Sequence, residues 1–141
     1  MKKILVPIDG SKYSMLAIEK ALELGKALDS RIVLFYVIPV YPSAFPFEIS
    51  EGLRVDLLKE AKANATKVLD TAKKKLAGYS KVDSILSEGI VADEIIHYAD
   101  VNDVDLIVMG SQGIGAIHNI LIGSVTRKVA VESTKPILII K

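Results

Sequence analysis

The feature that most constrains the fold of this chain is a regular alternation between short β-branched runs and segments with helical spacing. Valine and isoleucine suit a pleated surface, and runs that are apolar on both faces are typical of strands buried in a parallel sheet. The sequence therefore predicts five strands: Lys3 to Ile8, Arg31 to Ile38, Lys81 to Leu86, Asp105 to Met109 and Pro136 to Ile140.

Between these strands lie four segments whose apolar residues recur with the period of a helix, so that each offers one apolar stripe. The stripes begin at Ala17, Leu58, Val91 and Val125. This alternation favours right-handed crossovers and a parallel sheet covered by helices on both faces. We predict an α/β fold with a single-domain, doubly wound, five-stranded parallel sheet of order 3-2-1-4-5. In that order a crevice opens where the carboxyl ends of strands 1 and 4 meet.

Length and composition limit the functions open to the chain. Its 141 residues, half of them apolar, fill one core, so we expect one domain spanning residues 1–141. A net charge of +1, without a basic cluster interleaved with aromatics, argues against nucleic acid as a partner. The absence of cysteine excludes disulfides and thiolate sites, and two histidines alone do not build a zinc site. No apolar span approaches a membrane helix and no signal-peptide pattern is present, so we expect a cytoplasmic protein.

A glycine-rich stretch, MGSQGIGAIHNILIGSVT (Met109 to Thr126), follows the fourth predicted strand. Gly110 and Gly113 can bring main-chain N–H groups close to a ligand. Gly123 and Ser124 open the last predicted helix, whose first amides lack internal partners and carry the positive end of the helix dipole. Two separate donor clusters suit a ligand with more than one phosphate, and hydroxyl donors are added by Ser111, Ser124 and Thr126.

The same residues also fit ordinary turn chemistry, and composition alone leaves both interpretations open. Glycine and serine commonly follow strands, and Ser124 is a good N-cap for the last helix. Two familiar phosphate motifs are not matched. Ala116 stands where a Walker A lysine is required, and His118 replaces the third glycine of a dinucleotide motif that would, in any case, follow strand 1.

The pattern Gly110-x2-Gly113-x9-Gly123-Ser124, preceded by DLIVM and followed by KPILII, resembles the nucleotide-binding signature of the universal stress protein family. The resemblance spans the chain and includes KKILVPIDGS, VLFYVI and EGIVADEIIHYADVNDVDLIVMGS. In that family the intact signature marks the branch that binds ATP. The resemblance implies an ATP-binding, homodimeric stress sensor or switch, with hydrolysis slow or absent.

The resemblance also implies which residues contact the nucleotide. Pro7, Ile8 and Asp9 match the segment beside adenine and ribose, and Val37 matches the residue whose backbone reaches adenine. The residues that match the two phosphate-facing turns are Met109, Gly110, Ser111 and Gly113, then Gly123, Ser124, Val125 and Thr126.

The phosphate end departs from the family pattern in its charge. Gln112 stands where many members carry a basic residue, and Asn119 lies in a region that is often basic. Mg²⁺ or Mn²⁺, bound through the phosphates and water, would therefore matter more here. Arg127 and Lys128 either assist the phosphates or face solvent, and the solvated arrangement is the expected one.

Asp9 has two interpretations. Either its carboxylate accepts a hydrogen bond from ribose or adenine or holds the metal, or Asp9-Gly10-Ser11 forms the turn and caps the first helix. We assign no catalytic residue, and neither His97 nor His118 is expected to act as an acid or base. The rival hypotheses are a slow ATPase or phosphotransferase using the same crevice, and an interaction dimer with an empty site.

Two further stretches predict partners. Three prolines alternate with aromatic residues in the loop 39–47, which is either a lid or interaction surface, or a rigid loop over the core. The last strand, in residues 136–141, is an apolar edge strand in the predicted order. Pairing with its own copy across a two-fold axis would cover this edge, and the family resemblance also implies a dimer through it.

Overall fold

A computed structural model describes residues 1–40, 50–116 and 121–141 of the chain. In this part, strands and helices alternate from end to end. The elements are β1 Lys3–Pro7, α1 Lys12–Leu28, β2 Arg31–Pro39, α2 Glu51–Lys75, β3 Val82–Gly89, α3 Val91–Val101, β4 Leu106–Gly110, α4 Ser124–Glu132 and β5 Ile137–Ile140.

The five strands form one parallel sheet of order β3-β2-β1-β4-β5, which confirms the predicted fold class and strand order. β1 lies at the centre, with its residues Ile4 and Leu5 opposite Leu106 and Ile107 of β4. β3 continues three residues beyond the predicted end at Leu86, because β2 pairs with it as far as Gly89.

Strand residues alternate between two cores, which explains why the central strands are apolar on both faces. Ile4 and Val6 of β1 pack with α1 and α2, whereas Leu5 of β1 packs on the opposite face with α3 and α4. The helices contribute small residues to these contacts, including Ala17 and Ala21 from α1. The sheet is therefore covered on both faces, as the alternating pattern predicts.

Helix boundaries follow local capping signals. The hydroxyl of Ser11 accepts a hydrogen bond from the N–H of Ser14 (3.2 Å) and so begins α1 directly after the end of β1. Ser50 caps α2 in the same way through Leu53. α2 begins well before its predicted stripe at Leu58, and residues 51–60 are all exposed.

In the described ranges no helix has both the length and the apolar character to cross a membrane.

Candidate functional site

A cavity of about 460 Å³ opens at the carboxyl ends of β1 and β4, where the predicted strand order places a crevice. One wall comes from the β1 end and the start of α1, and the other from the loop after β4 and the start of α4. Its described lining residues are Pro7, Ile8, Asp9, Ser14, Phe35, Tyr36, Val37, Pro39, Val91, Ile95, Met109, Gly110, Gln112, Gly113, Ile114, Gly115, Ala116, Gly123, Ser124, Val125 and Thr126.

One part of the lining is apolar and buried. Phe35 and Val37 come from β2, Ile95 from α3 and Met109 from β4, and each is at most 6% exposed. The ring of Phe35 packs against the ring of Tyr98, with ring centroids 4.8 Å apart. Burial, followed by the charge of Asp83, raises the pKa of the Tyr98 hydroxyl, so Tyr98 stays neutral at physiological pH. This part of the cavity suits a flat, largely apolar group.

The opposite part of the lining is the N-terminus of α4. Gly123 is the N-cap, in an extended conformation (φ −70°, ψ 163°), and no side chain from the described residues caps the helix. The sequence suggested Ser124 as the N-cap, but the N-cap is Gly123, one residue earlier, and Ser124 is the first residue of the helix. The main-chain N–H groups of Ser124, Val125 and Thr126 precede the first intrahelical bond, which runs from Arg127 to the Gly123 carbonyl (2.9 Å). These amides and the helix dipole favour an anion.

The amide of Gly123, the N-cap of α4, is not available to a ligand. It donates to the carbonyl of Ser111 at 2.7 Å. The amide of Ser111 donates in turn to the Ile140 carbonyl (2.7 Å), and Ser111 is 2% exposed. Ser111 therefore lies behind the cavity and ties the loop after β4 to β5.

Thr126 and Gly110 also have structural partners. The buried Thr126 hydroxyl donates to the Gly110 carbonyl (2.8 Å), which joins α4 to the end of β4. A Cβ atom on Gly110 would lie 2.6 Å from the Cβ and 2.7 Å from the carbonyl carbon of Tyr13. Glycine is required here because the first turn of α1 packs directly on β4.

Asp9 joins the two walls of the cavity. One carboxylate oxygen, Oδ1, accepts a hydrogen bond from the Ser11 N–H at 2.9 Å, and Oδ2 accepts one from the Ile114 N–H at 3.0 Å. A Cβ atom on Gly113 would collide with Oδ2. Among the described residues that line the cavity, Asp9 is the only charged side chain.

The structure brings together eleven of the twelve predicted site residues as lining of one cavity, with Ser111 as the exception. His97 is exposed on α3, and Lys128 pairs with Asp93 at 2.8 Å rather than lining the cavity. His118, Asn119 and positions 41–47 of the predicted loop 39–47 lie outside the described residues. In the described ranges, no three histidine, cysteine or acidic side chains cluster closely enough to hold a metal ion.

Sequence reasoning missed several lining residues. Phe35 and Ile95 carry the same apolar pattern as core residues, so nothing in the sequence separates them from the core. Ile114 contributes its main-chain amide, which no residue pattern reports. Ser14 was detectable, since it lies three residues after the N-cap Ser11 in the first turn of α1.

Comparison with known proteins identifies relatives along the whole chain. The model of the universal stress protein family matches residues 1–141. A universal stress protein of Methanocaldococcus jannaschii is 36% identical over 143 residues, which cover 99% of this chain and 82% of that protein. Among solved structures, the universal stress protein UspA from Lactobacillus plantarum has a TM-score of 0.88 at 25% identity, covering 99% of this chain and 97% of that one.

Two other similar structures contain nucleotides. One is a universal stress protein in complex with cAMP (TM-score 0.73, 24% identity, 99% and 97% coverage). The other is a universal stress protein family protein from Arabidopsis thaliana with AMP bound (TM-score 0.73, 19% identity, 100% and 92% coverage). At these identities the likeness to this chain is one of fold.

Proposed function

The chain belongs to the universal stress protein family, and from that premise we propose that it binds ATP in the cavity between β1 and β4. We propose further that the bound nucleotide makes it a stress sensor or switch. The observation that carries the proposal is the junction, in one cavity, of a buried apolar part with the N-terminus of α4, where no described side chain caps the helix.

The two parts of the cavity fit the two parts of a nucleotide. The base would lie against Phe35, Val37 and Met109, where the walls are apolar. The phosphates would face the amides of Ser124, Val125 and Thr126 at the start of α4. A nucleotide as ligand is also supported by family structures that contain cAMP or AMP.

A divalent cation would accompany a triphosphate in this cavity. No lysine or arginine is found among its described lining residues, and the single charged side chain, Asp9, is negative. Mg²⁺ or Mn²⁺ carried on the phosphates would reduce the resulting repulsion, and such ions need few protein ligands. The metal would then arrive with the nucleotide.

We propose binding rather than rapid turnover. Among the described residues that line the cavity, Asp9 is the only carboxylate, and no histidine, lysine or second carboxylate lies with it to form an acid–base pair that would activate and position a water molecule. Hydrolysis in this cavity would be slow or absent. A state that persists while the nucleotide is bound is what a sensor or switch requires.

The proposal is tested by nucleotide binding to the wild type and to Gly123→Val. The backbone of Gly123 is extended, a conformation that valine adopts without strain, and a Cβ atom there would meet its nearest neighbour at 3.4 Å, an ordinary van der Waals contact. Its branches should obstruct the approach of phosphate to α4. We expect isothermal titration with Mg·ATP to show a loss of affinity of about tenfold or more, equivalent to about 1.4 kcal/mol.

Gly52→Val is the matched control, because a Cβ atom at Gly52 meets nothing within 4 Å. It should bind Mg·ATP as the wild type does. Wild-type affinity in a folded Gly123→Val variant would contradict the proposed phosphate site. The absence of both co-purified nucleotide and any rise in melting temperature with Mg·ATP would contradict nucleotide binding as a whole.

A further inference from the structure

The cavity already contains an anion that belongs to the protein, held against the loop that follows β4. The Oδ2 atom of Asp9 accepts the main-chain N–H of Ile114, in the loop after β4, at 3.0 Å. Its other oxygen is held by Ser11 at 2.9 Å, so the carboxylate is fixed on both sides. Asp9 thus bridges two loops whose residues are 105 positions apart in the chain.

This arrangement resembles the way a main-chain amide holds a phosphate oxygen. Carboxylate and phosphate oxygens both accept charge-assisted hydrogen bonds from amides, so they compete for the same donor. Two anions that share a small region also repel each other, and the described lining supplies no cationic side chain to balance them. Gly113 leaves the space that the Asp9 carboxylate occupies, since a Cβ atom there would collide with Oδ2.

We propose that Asp9 sets the charge selectivity of this cavity by acting as an internal competitor for the Ile114 amide. The proposal rests on the nucleotide site proposed above and adds a rule for which ligands enter it. A phosphate that enters takes the Ile114 N–H from Asp9. Without a divalent cation, adenine ligands therefore bind more weakly as their phosphate charge increases, and Mg²⁺ relieves this penalty for ATP.

The selectivity is tested with Asp9→Asn, which keeps the size of the side chain and one accepting oxygen but removes the charge. Affinities for adenosine, AMP and ATP are measured by titration calorimetry, first in EDTA and then with excess Mg²⁺. The ratio of ATP affinity to adenosine affinity cancels any contact that Asp9 makes with the ribose or the base. In EDTA we expect this ratio to rise about tenfold in Asp9→Asn, and in Mg²⁺ the difference from wild type should shrink.

Asp105→Asn is a matched control for net charge. Asp105 also holds two main-chain amides with its carboxylate, those of Lys2 and Lys3 at 2.7 and 2.9 Å, but it precedes β4 at the opposite end of the sheet. Removal of the Asp105 charge should leave the ratio of ATP affinity to adenosine affinity within about twofold of wild type, because exposed charges beyond a Debye length of about 10 Å are largely screened.

A second readout follows the Ile114 amide directly by ¹⁵N NMR. AMP should shift this resonance, Asp9→Asn should shift it in the free protein, and adenosine should leave it near its free position. The proposal would be overturned if Asp9→Asn left the ratio of ATP affinity to adenosine affinity unchanged, or lowered the affinity for all three ligands equally. It would also be overturned if AMP did not shift the Ile114 resonance. If wild type binds none of the three ligands, the nucleotide site itself fails; binding with an unchanged ratio refutes only the role of Asp9.

Discussion

At the scale of single residues, carboxylates bonded to main-chain amides act at both ends of the sheet. Asp9 ties together the loops at the carboxyl end, and Asp105 holds the N-terminal segment at the amino end. Hydrogen bonds from the N–H groups of Lys2 and then Lys3 hold the pKa of Asp105 below its ordinary value of about 3.8. The ionised form of Asp105 is therefore favoured by folding.

This depressed pKa predicts a pH dependence of stability. A carboxyl group whose folded pKa lies below its unfolded pKa stabilises the protein above the unfolded value, and the stabilisation is lost as pH falls through the folded pKa. We expect Asp105→Asn to lower the urea midpoint at pH 7 and to differ less from wild type as pH falls below about 3.8. Asp70→Asn, at an exposed position on α2, is the control. A gap between Asp105→Asn and wild type that persists unchanged into acid would contradict this assignment.

The three signature glycines illustrate what sequence reasoning can and cannot predict about a site. All three line the same cavity. The physical requirement for glycine differs among the three positions, however. Gly110 makes room for Tyr13 and Gly113 makes room for Asp9, whereas the backbone of Gly123 is extended and has no conformation that only glycine adopts. These reasons depend on contacts between residues far apart in the chain, which a residue pattern does not contain.

At the scale of elements, the close approach of α1 to β4 shapes the cavity wall. The backbone of Tyr13 lies so near Gly110 that any side chain on Gly110 would meet it at less than 3 Å. Because the obstruction is backbone, the helix would have to move away from the strand. The position of α1 therefore depends on a single glycine at the end of β4.

Gly110→Ala should accordingly destabilise the protein by about 1–3 kcal/mol, the usual cost of an oversized side chain in a well-packed site. Denaturant unfolding followed by circular dichroism measures this loss. Gly52→Ala, which adds a methyl group in open space on a helix, should instead be neutral or stabilising by about 0.5–1 kcal/mol. Wild-type stability of Gly110→Ala would show that α1 does not pack as described.

Element boundaries were predictable where burial left a pattern. β1, β2 and β4 are apolar on both faces because each is covered on both sides, and their predicted limits agree with the structure within one residue. The first ten residues of α2 are all exposed, and their apolar residues, among them Leu53 and Leu57, belong to neither core, so burial did not mark the start of this helix. The end of β3 contains Ser87 and Glu88, whose strand conformation follows from pairing with β2.

At the scale of the whole molecule, β5 is an edge of the sheet. The carbonyls of Pro136 and Ile140 accept hydrogen bonds from the segment that contains β4, so the N–H of Ile139, between these positions, points away from β4. An edge with free main-chain groups and apolar side chains is suited to pairing with a second copy. We therefore retain the proposal of a homodimer through residues 136–141.

Ile139→Pro tests this dimer, because proline removes the outward N–H while the N–H groups that face β4 remain. We expect multi-angle light scattering to give the mass of a dimer for wild type and of a monomer for the variant. Ser84→Pro, at an outward-facing position of the opposite edge strand β3, should leave the dimer intact. A wild-type monomer, or a dimer that survives in Ile139→Pro, would contradict assembly through β5.

A crystal structure determined with Mg·ATP tests most directly whether one nucleotide spans the cavity from its apolar part to α4. We expect a base against Phe35 and Val37, phosphates at the amides of Ser124 to Thr126, and a broken hydrogen bond between Asp9 and Ile114. A nucleotide bound elsewhere, or a cavity without nucleotide at saturating Mg·ATP, would contradict this arrangement.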